Sequence, residues 1–263
     1  MKSTKKIQTL DEYLAQKTKK DIYNEKYKKS ISDARGDDPE KLIDDLGLKV
    51  GKYSLRTRIR ENPWLKTGRP SSQATSWLYK TVFKNPQIYQ YKKSLLYQGG
   101  LFTFEYKNPK YKGTAQLPWF DKYPLVLSLG PIVTKLGVRN LGFNLHLVPP
   151  KIRIIIVCQV FELYKRLYRY QIFYKKDGPV KIKYQYILKS LDKYGADFCV
   201  RMYIPARQHA IVLFPYKEWS KAIFLPSRGY DGVKAQKLIS LWRKHIRTKG
   251  FGTTANIDWS SKI

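Results

Sequence analysis

Acidic side chains almost vanish from this chain after residue 45, and no other feature constrains its fold as strongly. The first 45 residues hold 11 Lys/Arg against 10 Asp/Glu, while residues 46–263 hold 40 basic and 10 acidic side chains, which is +30 of the total +31. Charges this unbalanced cannot be paired within one molecule, and burying them unpaired is very costly. They must cover the outside of whatever forms, where they repel one another. The body is therefore expected to meet a polyanion or an acidic protein surface. DNA or RNA phosphate is the first candidate, because each Lys or Arg contact releases condensed counterions.

The rest of the chain is able to fold. Its 263 residues are 43% hydrophobic and 14% aromatic, with 21 tyrosines, which is ample for a buried core beyond a charged N-terminal arm. The two cysteines, Cys158 and Cys199, sit among apolar neighbours and read as reduced core thiols of a protein made in the cytosol. Lysines near the N-terminus are not followed by the apolar stretch of a secretion signal. The longest apolar run, Ile154–Cys158, is far too short to span a bilayer, so no membrane is expected among the partners.

Residues 1–47 read as a mixed-charge arm with helical patches around Leu10–Leu14 and after Pro39. A basic connector follows over 48–72. In it Arg56, Arg58 and Arg60 alternate, so an extended segment would aim all three the same way, like a comb for a phosphate backbone. A body over 73–250 comes next, then a tail over 251–263. In the body, Ser71/Ser72 cap a helix whose apolar face is Trp77, Leu78, Val82 and Phe83, Asn85-Pro86 breaks it, and a second helix covers roughly 87–97. Strands are predicted at 101–106, 124–129, 142–147, 210–214 and 222–225, and 181–195 reads as strand then helix. The longest helix opens at Pro149-Pro150 and runs to about 170. The last covers about 231–248, with Val233, Leu238, Leu241 and Trp242 facing inward. The fold class is α+β: short antiparallel strands packed with several helices, preceded by an extended or helical arm.

Chemistry-bearing patterns are scarce. No phosphate-binding glycine loop, dinucleotide fingerprint or nucleophile elbow occurs, and three histidines and two cysteines never approach metal-ligand spacing. His146 reads as a satisfied core histidine. Glu105-Tyr106-Lys107 has the form of half a metal-dependent nuclease site, but a matching aspartate one strand earlier is missing. No catalytic residue, metal or cofactor is expected. The remaining candidates are cations: Arg56, Arg58 and Arg60; Lys165, Arg166 and Arg169 at the end of the long helix; Lys175 and Lys176 with Lys181 and Lys183; and Arg243, Lys244 and Arg247 in the last helix. Without a helix-turn-helix, finger or RNA-recognition signature, they point to contact with backbone and shape rather than base reading.

Several central segments resemble a tailed-phage family, the DNA end protector proteins of the T4-like group. They are Leu101–Lys110, an aromatic strand ending in Tyr-Lys-Asn-Pro-Lys; Leu117–Val126, with Leu-Pro-Trp-Phe-Asp-Lys-Tyr-Pro-Leu-Val; and Leu141–Pro150, with Gly-Phe-Asn-Leu-His-Leu-Val-Pro-Pro. Glu218-Trp219 with Ala222–Pro226, and Ser76–Lys80, extend the resemblance over roughly 75–226. It implies a non-enzymatic virion protein, assembled in the host cytoplasm, that meets packaged double-stranded DNA near the portal or neck and helps complete the head. Its other implied partners are portal, neck or tail subunits and further copies of itself in a ring. Two alternatives stand beside it: a neck or tail assembly protein whose cations face acidic subunits without DNA, and a metal-dependent packaging nuclease.

Overall fold

The computed structural model describes residues 55–107, 120–173, 182–227, 230–231 and 235–249. The expected arm and tail lie outside them. The molecule is α+β, as the sequence predicts: an antiparallel five-stranded sheet in the order β5-β4-β3-β1-β6 packs against helices. Its strands are β1 (Leu101–Tyr106), β3 (Leu125–Thr134), β4 (Gly137–Asn144), β5 (Val200–Tyr203) and β6 (Gln208–Phe214). Two short strands, β2 (Phe120–Asp121) and β7 (Tyr230–Asp231), pair separately.

Alternation along the strands makes two cores. Leu101, Leu125, Leu127, Leu141, Phe143, Val212 and Phe214 face the helical layer. Phe102, Phe104, Tyr106, Val126, Tyr203 and Ile211 face the other way and form an aromatic cluster with Phe120 and Leu96. Its rings meet edge to face, as Phe104 and Tyr203 do at 5.1 Å.

The helical layer comprises α1 (Leu55–Arg60), α2 (Pro63–Lys66), α3 (Pro70–Trp77), α4 (Pro86–Tyr89), α5 (Pro150–Phe173), α6 (Tyr184–Leu191), α7 (Trp219–Ala222) and α8 (Ala235–Thr248). Every residue of α5 from Ile152 to Cys158 is buried, which is why its apolar run is continuous rather than striped. Burial pushes the Cys158 thiol up to about 12 against the opposing charge of Arg56, and it raises Cys199 as well; both are unpaired thiols.

Five expectations are corrected. The Arg56–Arg60 stretch is helical, not extended, because Leu55 and Ile59 at helical spacing are buried in the main core. Pro70 rather than Ser71/Ser72 opens α3, its fixed φ suiting a first turn. The helix at 87–97 stops after Tyr89. There Gln90 turns extended and pairs with Val212, Tyr91 N–H donates to Ile211 O, and Asn140 holds Ser94 and Leu96 through its amide. Residues 222–225 are not a strand but the end of α7 and a turn, which buries all four side chains equally well. At 181–195, residues 184–191 are helical with no strand before them among the described residues.

Candidate nucleic-acid interface

Three of the motif segments meet at one buried polar node. Asp121 on β2, Asn144 and His146 at the end of β4, and the Leu225 carbonyl converge there, although they are up to 104 positions apart in sequence. His146 Nδ1 lies 2.7 Å from the Asp121 carboxylate, and its Nε2 lies 3.1 Å from Leu225 O. Asn144 donates to Asp121 (3.3 Å) and caps the 3-10 turn of Leu145–Leu147 by accepting from His146 N–H. Arg153, the one buried Lys or Arg among the described residues, donates to Leu225 O (2.9 Å) and Val148 O (3.1 Å). With side chains only 3% and 1% exposed, His146 and Asp121 have no access to a substrate. The node is a tie between segments, so His146 is the satisfied core histidine the sequence suggested. Proton transfer to a ligand there is excluded by burial.

The half-nuclease pattern is also accounted for. Glu105 forms an ion pair with Lys107 at 3.1 Å, and Asp121 is sealed in the node. Among the described residues no group of three His, Cys, Asp or Glu side chains is placed to hold a metal.

What remains for function is the surface. On α1, Arg56 is near Cys158, Arg58 lies over the Tyr216 ring at 5.5 Å, and Arg60 is exposed. A helix turns about 100° per residue, so Arg58 leaves the face that Arg56 and Arg60, four apart, share. The comb is therefore lost. Lys165, Arg166 and Arg169 lie on the last turns of α5, where only the backbone is described, and Lys175, Lys176 and Lys181 fall outside the described residues.

The last helix keeps its cations together. Leu238, Trp242 and Ile246 bury one face of α8, leaving Lys237, Ser240, Arg243, Lys244 and Arg247 exposed on the other. Leu241, expected inward, is only half-buried, and Ile246 takes its place. Lys249, by contrast, turns back to Asp192 (2.8 Å) and Asp197 (2.6 Å), and His245 also reaches Asp197 at 3.0 Å. Trp242 Nε1 donates to Tyr194 O, and Ile246 packs where a Cβ on Gly195 would stand. These ties fasten α8 to the turns that follow α6.

Helix α6 carries a second stripe. Lys183, Tyr186, Lys189 and Lys193 are all exposed at spacings of three and four, with Tyr186 61% accessible between the lysines. Apart from Lys183, the sequence reading did not single them out. Splitting 181–195 into strand and helix hid a 3.6-residue period that was there to find. The structure thus places the α8 cations on a helix tied to the turns after α6, and Arg58 of α1 beside Tyr216, which follows the edge strand β6.

The protein so defined is an α+β body whose described lysines and arginines, Arg153 apart, are not buried. No helix among the described residues is long and apolar enough to cross a membrane. A family model described as Phage T4 terminal DNA protecting protein matches residues 5–245. The chain belongs to that family of bacteriophage proteins, which bears out the resemblance read from its central segments. Comparison with curated proteins and with solved structures returns no match.

Proposed function

We propose that this chain is a non-enzymatic bacteriophage virion protein that covers the ends of packaged double-stranded DNA at the portal–neck region, where it helps to complete the head. The observation that carries the reading is the match over residues 5–245 to the family described as terminal DNA protecting proteins. The chemistry agrees with it. The only buried acid–histidine pair serves as a structural tie among the described residues, and the α6 and α8 stripes offer cations and an exposed aromatic without base-reading geometry. Covering an end needs neither turnover nor sequence preference, only affinity for phosphate and a surface that excludes an exonuclease. The arm over 1–47 and the tail over 251–263 are proposed to reach neighbouring portal, neck or tail subunits, with the copies arranged in a ring.

The test is to add a processive double-strand exonuclease to end-labelled linear DNA with and without the protein, in Mg²⁺. Protection of the label, with binding that falls steeply as salt rises, is expected. No binding at modest salt would sink the reading in favour of an assembly protein whose cations face acidic subunits. Cleavage without added nuclease would instead revive Glu105 and Lys107.

A further inference from the structure

A duplex end differs from a duplex interior in one respect that a protein can recognise: it exposes the flat face of its last base pair. The described residues display a matching surface on the turn that follows α3 and on α4. Tyr79 (51% exposed) and Phe83 (49%) form an edge-to-face pair with ring centroids 5.5 Å apart, and Ile88 (55%) lies exposed a few residues on. The cause is a widened turn. After Trp77 the helix continues over Leu78–Val82 with π geometry, closed by Phe83 N–H donating to Leu78 O. Trp77, Leu78 and Val82 stay buried, while Phe83, which the periodicity assigns to the same face, is turned out to join Tyr79. Such single wide turns interrupt helices at a cost and cluster at functional sites.

The neighbours choose the occupant. Lys80 and Lys84, both exposed, each follow one of the two aromatics and form a parallel row one turn long. No acidic residue lies between Glu61 and Glu105 in the sequence, and Lys80 and Lys84 put positive charge beside the exposed rings of this segment. A protein partner's apolar face would be matched by the rings alone. A base pair bordered by its terminal phosphates is matched by rings and lysines together.

We infer that Tyr79 and Phe83 stack on the terminal base pair of a DNA duplex, with Lys80 and Lys84 on the flanking phosphates, so that this patch distinguishes an end from an interior. The inference rests on the end-protecting reading and gives it a residue-level site. The double variant Tyr79→Ala/Phe83→Ala removes both rings, and its melting temperature is measured beside that of the wild type so that loss of fold is told apart from loss of binding. Blunt duplexes carrying 2-aminopurine at the last base pair report stacking directly. The wild type quenches the probe. The variant is expected to lose the quenching and about tenfold in affinity for the linear duplex, while its affinity for closed circular DNA stays unchanged. Lys80→Ala/Lys84→Ala should keep the quenching but lower the salt dependence. If the variant protects and quenches like the wild type, stacking is wrong and end protection stands. If the wild type itself neither protects nor quenches, both fail together. Loss of self-association in sedimentation, with DNA binding intact, would make the patch a protein interface and overturn the inference.

Discussion

Ala210 holds a backbone conformation that β-bulges usually reserve for glycine. Its φ is +47°, and it lies where the β1–β6 register slips, His209 pairing with Glu105 and Val212 with Thr103. A left-handed residue opens one common type of bulge, and a Cβ there is strained. Ala210 is exposed, so nothing packs on its methyl group. Ala210→Gly is therefore expected to stabilise the protein by about 1 kcal/mol, read as a rise in denaturant midpoint at constant slope. Asp121 is the opposite case. Asp121→Ala leaves His146 Nδ1 and the Asn144 amide facing a void, and should cost about 3 kcal/mol in the same measurement. The residues of this node were legible in the sequence as recurring family segments, but their meeting was not. Proximity between Asp121 and Leu225 is a property of the chain's path, not of either local pattern.

At the scale of the element, α8 is fastened by a small ionic cluster, and that attachment should depend on pH. Burial raises the Asp197 carboxyl, but hydrogen bonds from Lys249 and His245 outweigh it and hold the group below its ordinary 3.8. A carboxyl that is lower in the folded state stabilises fully above 3.8, and the contribution is lost as pH falls through the folded value. Lys249, raised by its bonds to Asp192 and Asp197, contributes below 10.5 and fades at higher pH. Asp197→Asn is therefore expected to lower the melting temperature near neutrality and to approach wild type below pH 3.8. A gap that stays constant with pH would contradict this. Elements were unevenly legible. Long α5 and strands β1, β3 and β6 followed from pattern, since their periodicity and their burial agree. Segments 87–97 and 222–225 did not, because a short apolar run fits a strand, a helix or a turn equally, and Asn140 or the β6 edge decided the matter.

At the scale of the whole molecule, the charge imbalance predicts how binding responds to salt. If α8 contacts duplex phosphate through Arg243, Lys244 and Arg247, replacing all three with Ala should reduce the log–log salt slope by about 2.7, close to 0.9 per lost contact. A titration of labelled duplex across ionic strengths checks this, and an unchanged slope would move the interface elsewhere. All three side chains are exposed, so stability should stay close to wild type. The sequence by itself determined that the body is an α+β fold with its cations outside, because a surplus of +30 cannot be hidden and alternating aromatic runs must form a sheet with two apolar faces. It also identified the family, through segments whose order is kept. Only the tertiary structure decided where the cations of each helix stand. Helical twist set Arg58 apart from Arg56 and Arg60 on α1, and the ties of Trp242, His245 and Lys249 fastened α8 to the turns that follow α6. A neighbour in space is chosen by packing and hydrogen bonding between distant parts of the chain, and no local spacing encodes it.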